Sequence, residues 1–459
     1  MNAQTGQIGD HAMQRMTGRA QETILASVGA HSPVLADSLV HHAFGKIIGQ
    51  TTLGYGEREL ETIAMLGAMG GCESQLRTHL GFALDCGLAP EEIIASVEQV
   101  SVYAGYPRGL TLLRIAREVM QDKGAELLVA KAFSQRDHDT CLFDSGGGKP
   151  AMILLHALGL DWRMWSRVIP RLTPHFRVIA YDLRGFGGAA FAPPVRDLAH
   201  YAQDVAELMD RLALPSARIV GLSLGGSIAL ELALQQPERV QDLTVIAATA
   251  WAFPAFEERA RAAEAGGMEA QVIPSLARWF RAGDLAANDW SVRYARNCVR
   301  RSNFTDWSAA WRALAGISLD DRLDGIAVPM RIIAGECDQS TPPALMNRLA
   351  DGAPRTFEVI GDAPHMVALT HPEDLGAAIL KPAGSEHGQN RRADRGTERI
   401  AGNQQASRRD GDIQFAADLQ KQAHNDKFRD ADPEGPDRQS VERQWHSKSR
   451  SSFSLFPER

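Results

Sequence analysis

The sequence predicts a multidomain protein: an all-α unit, a parallel α/β domain carrying a helical lid, and a disordered C-terminal tail. Three observations carry this. From Ala20 to Gln121 the apolar residues recur at helical spacing, with almost none of the alternation a half-buried strand shows. From Ala151 to Ile360 short apolar runs alternate with helical segments, the pattern of a parallel sheet covered on both faces. After Leu380 the chain turns to Arg, Gln, Asp, Glu, Ser and Gly, with too little clustered apolar surface to offset the entropy of ordering.

At 459 residues the chain is long for one domain, and its net charge of −7 with 44% hydrophobic residues excludes a general attraction to nucleic acid or anionic membranes. Five scattered cysteines (Cys72, Cys86, Cys141, Cys298 and Cys337) lack any Cys-x-x-Cys spacing for zinc or redox work, which fits a reducing compartment. The N-terminus has no basic-then-apolar signal pattern and no stretch reaches the length of a membrane span, so a cytoplasmic protein is expected.

Residues 1–130 read as the helical unit. Leu60, Ile63, Ala64 and Gly67 form one apolar stripe, Leu76, His79, Leu80 and Ala83 a second, and Ile93, Val97, Val100 and Ala104 a third. Pro90 with Glu91 and Glu92 marks a helix start, and Cys86-Gly87 ends the helix before it. Residues 131–149 read as a linker with a short strand around Thr140–Phe143. Residues 150–381 form the α/β domain, with strands expected at 151–155, 176–181, 218–222, 243–248, 330–334 and 355–360. Residues 254–319, helical and rich in Trp and Arg, are too long for one crossover and read as a lid. Residues 382–459 form the tail; Pro382 cuts the last helix short, and a shifted reading frame would leave the same break.

The chemistry centres on Arg218–Ser227, where a β-branched run enters Gly221-Leu222-Ser223-Leu224-Gly225 and an Ala/Leu-rich helix leaves it. A serine held on such a strand–turn–helix elbow marks the α/β-hydrolase fold. Its partners should follow in the order acid, then histidine. Asp338 sits just past the run Met330–Ala334, and His365 follows the last strand, with Asp362 and His371 as the nearest alternatives. An imidazole takes the serine proton and a carboxylate holds the imidazole in the useful tautomer. The backbone N–H groups of Leu224 and Leu158 are the expected oxyanion-hole donors, and His156 is read as structural. In the lid, Trp279, Phe280 and Trp290 are candidates for an apolar wall, and Arg278 or Arg281 for a substrate carboxylate; packing the lid or facing water is the alternative for each.

Two resemblances sharpen this. Arg58-Glu59-Leu60 through Leu66, Gln75-Leu76-Arg77-Thr78-His79, Ala83-Leu84 with Gly87, Glu91-Glu92-Ile93 and Tyr103–Pro107 resemble, in order, the carboxymuconolactone decarboxylase family. In its alkylhydroperoxidase-D-like branch a Cys-x-x-Cys stands four residues ahead of the histidine. Here that position is Gln75 and Cys72 stands alone, which favours the decarboxylase branch. Loss of CO2 from an unsaturated lactone delocalises the electron pair into the ring, so no cofactor and no metal is expected. The protein must supply cations and one acid; His79 is the candidate acid, and Arg77 and Arg58 the candidate carboxylate anchors. A hydrogen-bonded core histidine is the alternative for His79.

The second resemblance is to the 3-oxoadipate enol-lactonases. It rests on Leu158–Asp161 with Met164-Trp165, Tyr181–Gly187, Gly221–Gly226, Gly266–Ala270 and Ala334–Pro343, over about 230 residues. It departs from that family at His156-Ala157, where small polar residues are usual. Together the resemblances imply a bifunctional enzyme of aromatic-acid breakdown. The first half would decarboxylate 4-carboxymuconolactone, and the second would hydrolyse the resulting enol-lactone to 3-oxoadipate. The partners expected are small-molecule lactones and further copies of the chain, joined through the N-terminal domain. The alternative is a general esterase or lactonase whose helical domain only oligomerises.

Overall fold

The computed structural model describes residues 3–17, 26, 28–49, 52–125, 127–350 and 355–381. The region expected to be a disordered tail, 382–459, lies outside the described residues. The first half is helical, with helices at Ala3–Thr17, Pro33–Asp37, Tyr55–Met69, Glu73–Asp85, Pro90–Ala104 and Tyr106–Asp122; a π-helical segment, Ser38–Ile48, continues the second of these. Each helix is held by the stripe its sequence carries. Ile63, Leu76, Leu80, Ile93, Val97, Leu112 and Ile115 bury against one another in a core of their own. Pro90 occupies the first turn of its helix, where Glu92 reaches back to the Ala89 N–H (3.1 Å) and meets an otherwise orphaned donor.

The second half is an eight-stranded sheet in the order β1-β2-β4-β3-β5-β6-β7-β8. β1 (Lys131–Ser134) and β2 (Asp139–Asp144) form an antiparallel hairpin, and β2 also runs antiparallel to β4 (Arg177–Tyr181). β3 (Ala151–Leu155), β4, β5 (Ala217–Leu222), β6 (Val240–Ile246), β7 (Met330–Gly335) and β8 (Arg355–Ile360) are parallel. The six strands expected from apolar runs are present, shifted by a few residues at most, and so is the strand expected near Thr140. β1 lies in the span whose composition predicts a linker. Lys131-Ala132-Phe133-Ser134 has no apolar run because it is an edge strand, exposed except at Phe133, which needs no buried face.

Five helices follow β6, at Pro254–Gly266, Glu269–Trp279, Ala282–Ala287, Trp290–Arg301 and Phe304–Ala315, in the segment expected to form the lid. Trp290–Arg301 meets the helical half, where Arg293 grips both oxygens of Glu92 at 2.9 and 2.8 Å. No described helix is long and apolar enough to cross a membrane.

The Leu224–Gln235 helix lies against the backbone of β3 and β5, a packing that only missing Cβ atoms allow. A Cβ on Gly225 would stand 2.2 Å from the Leu155 carbonyl oxygen, and one on Gly221 2.1 Å from the Gly225 oxygen. Gly225→Ala should therefore cost about 1–3 kcal/mol or prevent folding, because a backbone carbonyl cannot move aside. Gly283→Ala, in an exposed lid helix with nothing within 4 Å of the new Cβ, should be neutral or stabilise by up to ~1 kcal/mol. Denaturant midpoints of the two variants test the contrast, and equal effects would contradict it.

Candidate functional site

Ser223 follows β5 directly and adopts φ 54°, ψ −116°, a conformation rare for a residue with a side chain. That turn lifts its hydroxyl off the sheet and leaves the Leu224 N–H at the open start of a helix, where no intrahelical acceptor exists. Asp338 lies three residues beyond β7 and His365 five beyond β8, so all three side chains gather at the C-terminal edge of the parallel sheet.

They connect in series. The Ser223 hydroxyl donates to His365 Nε2 at 3.1 Å, and His365 Nδ1–H donates to Asp338 Oδ2 at 2.8 Å. Asp338 is fully enclosed, and its other bonds come from the Ser340 N–H (2.7 Å), the Thr341 N–H (2.9 Å) and the Thr341 hydroxyl (2.7 Å). Burial raises the Asp338 carboxyl, but His365 and the Thr341 donors outweigh it and hold the group below the usual carboxylate range. A carboxylate kept ionised orients the imidazole and stabilises its protonated form as the serine gives up its proton. Asp362, the nearest alternative acid, is exposed and faces Arg281, and His371 bonds the Thr370 hydroxyl, so neither joins the series.

The serine opens into a cavity lined by Leu158, Leu224, His365, Trp279, Arg278 and Arg259, with Phe256, Trp311 and Leu314 from the lid. Leu158 and Leu224, the expected oxyanion donors, thus face the same space as the serine. Arg278 and Trp279 line the cavity. Arg281 does not, because its guanidinium is committed to Asp284 and Asp362. Phe280 is buried in the domain core, and Trp290 stacks on Tyr294 under Arg167, away from the cavity; Phe256 and Trp311 supply the apolar wall in their place.

Arg259 is a cavity residue that sequence reasoning missed. It lies over the rings of Trp311 (4.7 Å) and Phe256 (5.6 Å), and among the described residues neither it nor Arg278 has a carboxylate at ion-pair distance. Burial lowers the Arg259 guanidinium to about 10, and burial together with the charge of Arg259 lowers Arg278 to about 9. Two crowded, partly desolvated cations in an otherwise apolar cavity favour an anionic ligand. The signal was present in the sequence: Phe256, Arg259, Ala260 and Ala263 share a helical stripe, so Arg259 had to point with the apolar residues.

In the helical half, His79 Nδ1 meets Glu59 Oε2 at 2.8 Å. Glu59 is completely buried, and its second oxygen has no hydrogen-bond partner among the described residues. The histidine remains about a third exposed, with Phe82 edge-on beneath its ring. Glu59 was also missed as a site residue, although it stands on the Ile63–Gly67 stripe, four residues before Ile63, where a lone acid must be buried. Arg77 pairs with Glu118, which also takes Arg114, and Arg58 precedes Glu59 on the same helix. A small cleft in this half is lined by Cys72, Glu73, Arg108 and neighbouring residues, and not by His79. Elsewhere, Asp137, His138 and Asp204 converge in a metal-like group, but the Arg184 guanidinium bonds both aspartates and already supplies the positive charge.

Comparison with known proteins agrees with both halves. Residues 150–372 match the alpha/beta hydrolase fold family and residues 33–118 the carboxymuconolactone decarboxylase family. 3-Oxoadipate enol-lactonase 1 of Acinetobacter baylyi is 31% identical over 233 residues, which span 49% of this chain and 85% of the relative. A pimeloyl-[acyl-carrier protein] methyl ester esterase of Aeromonas hydrophila is 28% identical over 251 residues, 50% of this chain and 93% of the relative. The crystal structure of the enol-lactonase from Burkholderia xenovorans superposes with a TM-score of 0.52 at 25% identity, covering 55% of this chain and 98% of that one. Through residues 150–372 the chain belongs to the alpha/beta hydrolase fold family, and it carries ahead of that domain, at residues 33–118, a carboxymuconolactone decarboxylase family domain.

Proposed function

We propose that the second half hydrolyses 3-oxoadipate enol-lactone, an anionic lactone, and that the first half produces it by decarboxylating 4-carboxymuconolactone. The observation that carries the hydrolytic reading is the pair of arginines, Arg259 and Arg278, that have no carboxylate partner among the described residues and line the same cavity as Ser223 and His365. A general esterase has no use for two partly buried cations, whereas a lactone with a carboxylate arm neutralises them. Ser223 attacks the lactone carbonyl as His365 takes its proton. The tetrahedral oxyanion is received by the Leu158 and Leu224 N–H groups, and the ring oxygen leaves as an enolate to which His365 returns its proton, giving the ketone and a neutral imidazole. Water activated by His365 then releases the acyl group.

For the decarboxylation, His79 is the proposed acid that reprotonates the ring and Glu59 the group that orients it. A second reading treats the helical half as an assembly module, and two observations favour it. Arg77 is occupied by Glu118, and Val102, Tyr103, Tyr106 and Leu110 present an exposed apolar group where two helices meet.

Three outcomes test these assignments. Ser223→Ala should abolish enol-lactone hydrolysis, and Asp338→Asn should lower it by about 10³–10⁴ through the wrong imidazole tautomer; substantial lactonase activity in folded Ser223→Ala protein would remove the serine from the reaction. Arg259→Met and Arg278→Met should each reduce kcat/KM for the anionic lactone about tenfold or more while leaving a neutral ester such as p-nitrophenyl acetate within a few fold. Equal losses on both substrates would point to a packing role. In the helical half, His79→Gln should slow CO2 release without lowering the melting temperature in proportion. Full decarboxylation by that folded variant would remove His79 from the reaction, whereas no CO2 release by the wild-type protein would favour the assembly reading.

A further inference from the structure

His156 ends the run that follows β3 and is fully buried, at the position where the chain departs from the enol-lactonase pattern. Its two ring nitrogens have different partners. Nε2 lies 2.8 Å from the Leu183 N–H, which can only donate, so Nε2 is the bare nitrogen and the ring proton is on Nδ1. Nδ1–H therefore donates to the Ala157 carbonyl oxygen at 2.8 Å. Burial lowers the imidazole to about 4, so this single arrangement persists across the neutral range.

The Ala157 carbonyl belongs to the same peptide plane as the Leu158 N–H, and in a trans peptide the two point in opposite directions. Drawing the oxygen toward the His156 ring turns the N–H away from it, and Leu158 lines the cavity that also holds Ser223. The other restraints on this turn are the Leu160 N–H, which donates to the same oxygen at 3.2 Å, and Met164 Sδ, a weak acceptor 3.2 Å from the Ala157 N–H. Among the described residues no protein acceptor takes the Leu158 N–H. We propose that His156 is a positioning residue for hydrolysis: its Nδ1–H, by holding the Ala157 oxygen, aims the Leu158 N–H at the oxyanion that forms on Ser223. The bond from Leu183 to Nε2 ties the β4 loop to the β3 loop and fixes the tautomer that makes this possible.

The inference rests on the serine-hydrolase reading of the cavity but not on the identity of the lactone, so the full-length protein is assayed with p-nitrophenyl acetate. His156→Phe keeps the ring volume, and the edge-on contact with Phe186, while removing both bonds. It should lower kcat by about 10- to 100-fold with KM within about twofold, because an oxyanion donor acts mainly in the transition state. Affinity for a boronic acid that forms a tetrahedral adduct with Ser223 should fall by the same factor as kcat/KM. His156→Gln, which can offer one donor and one acceptor, should recover most of both and serves alone if the Phe variant does not fold. Unchanged kcat in folded His156→Phe, a rise confined to KM, or a loss in His156→Gln as deep as a donor deletion, about 10²-fold, would each overturn the proposal. Ser223→Ala run alongside separates the two failures: activity in that variant would sink the reading of the cavity, whereas an inactive Ser223→Ala with an unaffected His156→Phe would sink only the role of His156.

Discussion

The close approach of one helix to the sheet fixes the geometry of the hydrolytic half. Leu224–Gln235 starts so near β3 and β5 that Gly225 has the Leu155 carbonyl where a side chain would be, and the chain can enter that helix only through the unusual backbone of Ser223. The same crowding sets the Leu224 N–H beside the serine hydroxyl. It also brings the end of β3, where His156 and Leu158 lie, against the start of the helix. The proposed nucleophile and both proposed oxyanion donors are therefore consequences of a single packing contact, and the loops after β7 and β8 need only deliver Asp338 and His365 to a point already defined.

Electrostatics separate this cavity from a generic esterase pocket. The acid of the series is balanced, since Asp338 is held charged by four donors, one of them the His365 ring that it orients. The lid cations are left unbalanced. Arg259 rests on aromatic faces and, among the described residues, the Arg278 guanidinium meets the Ser275 hydroxyl at 3.3 Å, so burial weakens both cations and the charge of Arg259 weakens Arg278 further. By contrast, the buried Arg184 and the partly exposed Arg163 are each paired with aspartates and serve structure. The same residue type thus has opposite roles depending on whether the fold provides the counter-charge.

Much of this was legible in the sequence. Apolar runs located the parallel strands because strands buried on both faces must be continuously apolar, and Gly221, Gly225 and Ser223 announced the elbow because few other sequences can make it. Asp338 and His365 followed from their places after β7 and β8. What stayed hidden depended on long-range partners. Arg281 and Arg278 are three residues apart and look alike in sequence, yet Asp284 and Asp362 claim only the first. Arg259 and Glu59 were concealed because a charged residue on an apolar stripe reads as an imperfection until its surroundings are known. β1 escaped because an edge strand carries no hydrophobic pattern.

The central claim is that the two halves act in sequence on one molecule, the product of the helical half being the substrate of the hydrolase half. The most direct measurement is to incubate the full-length protein with 4-carboxymuconolactone and follow CO2 and organic products together. The account predicts 3-oxoadipate and CO2 released in equal amounts, with enol-lactone passing through as a transient. Recovery of unchanged 4-carboxymuconolactone from a preparation that rapidly hydrolyses the enol-lactone would contradict it and leave the helical half as a scaffold.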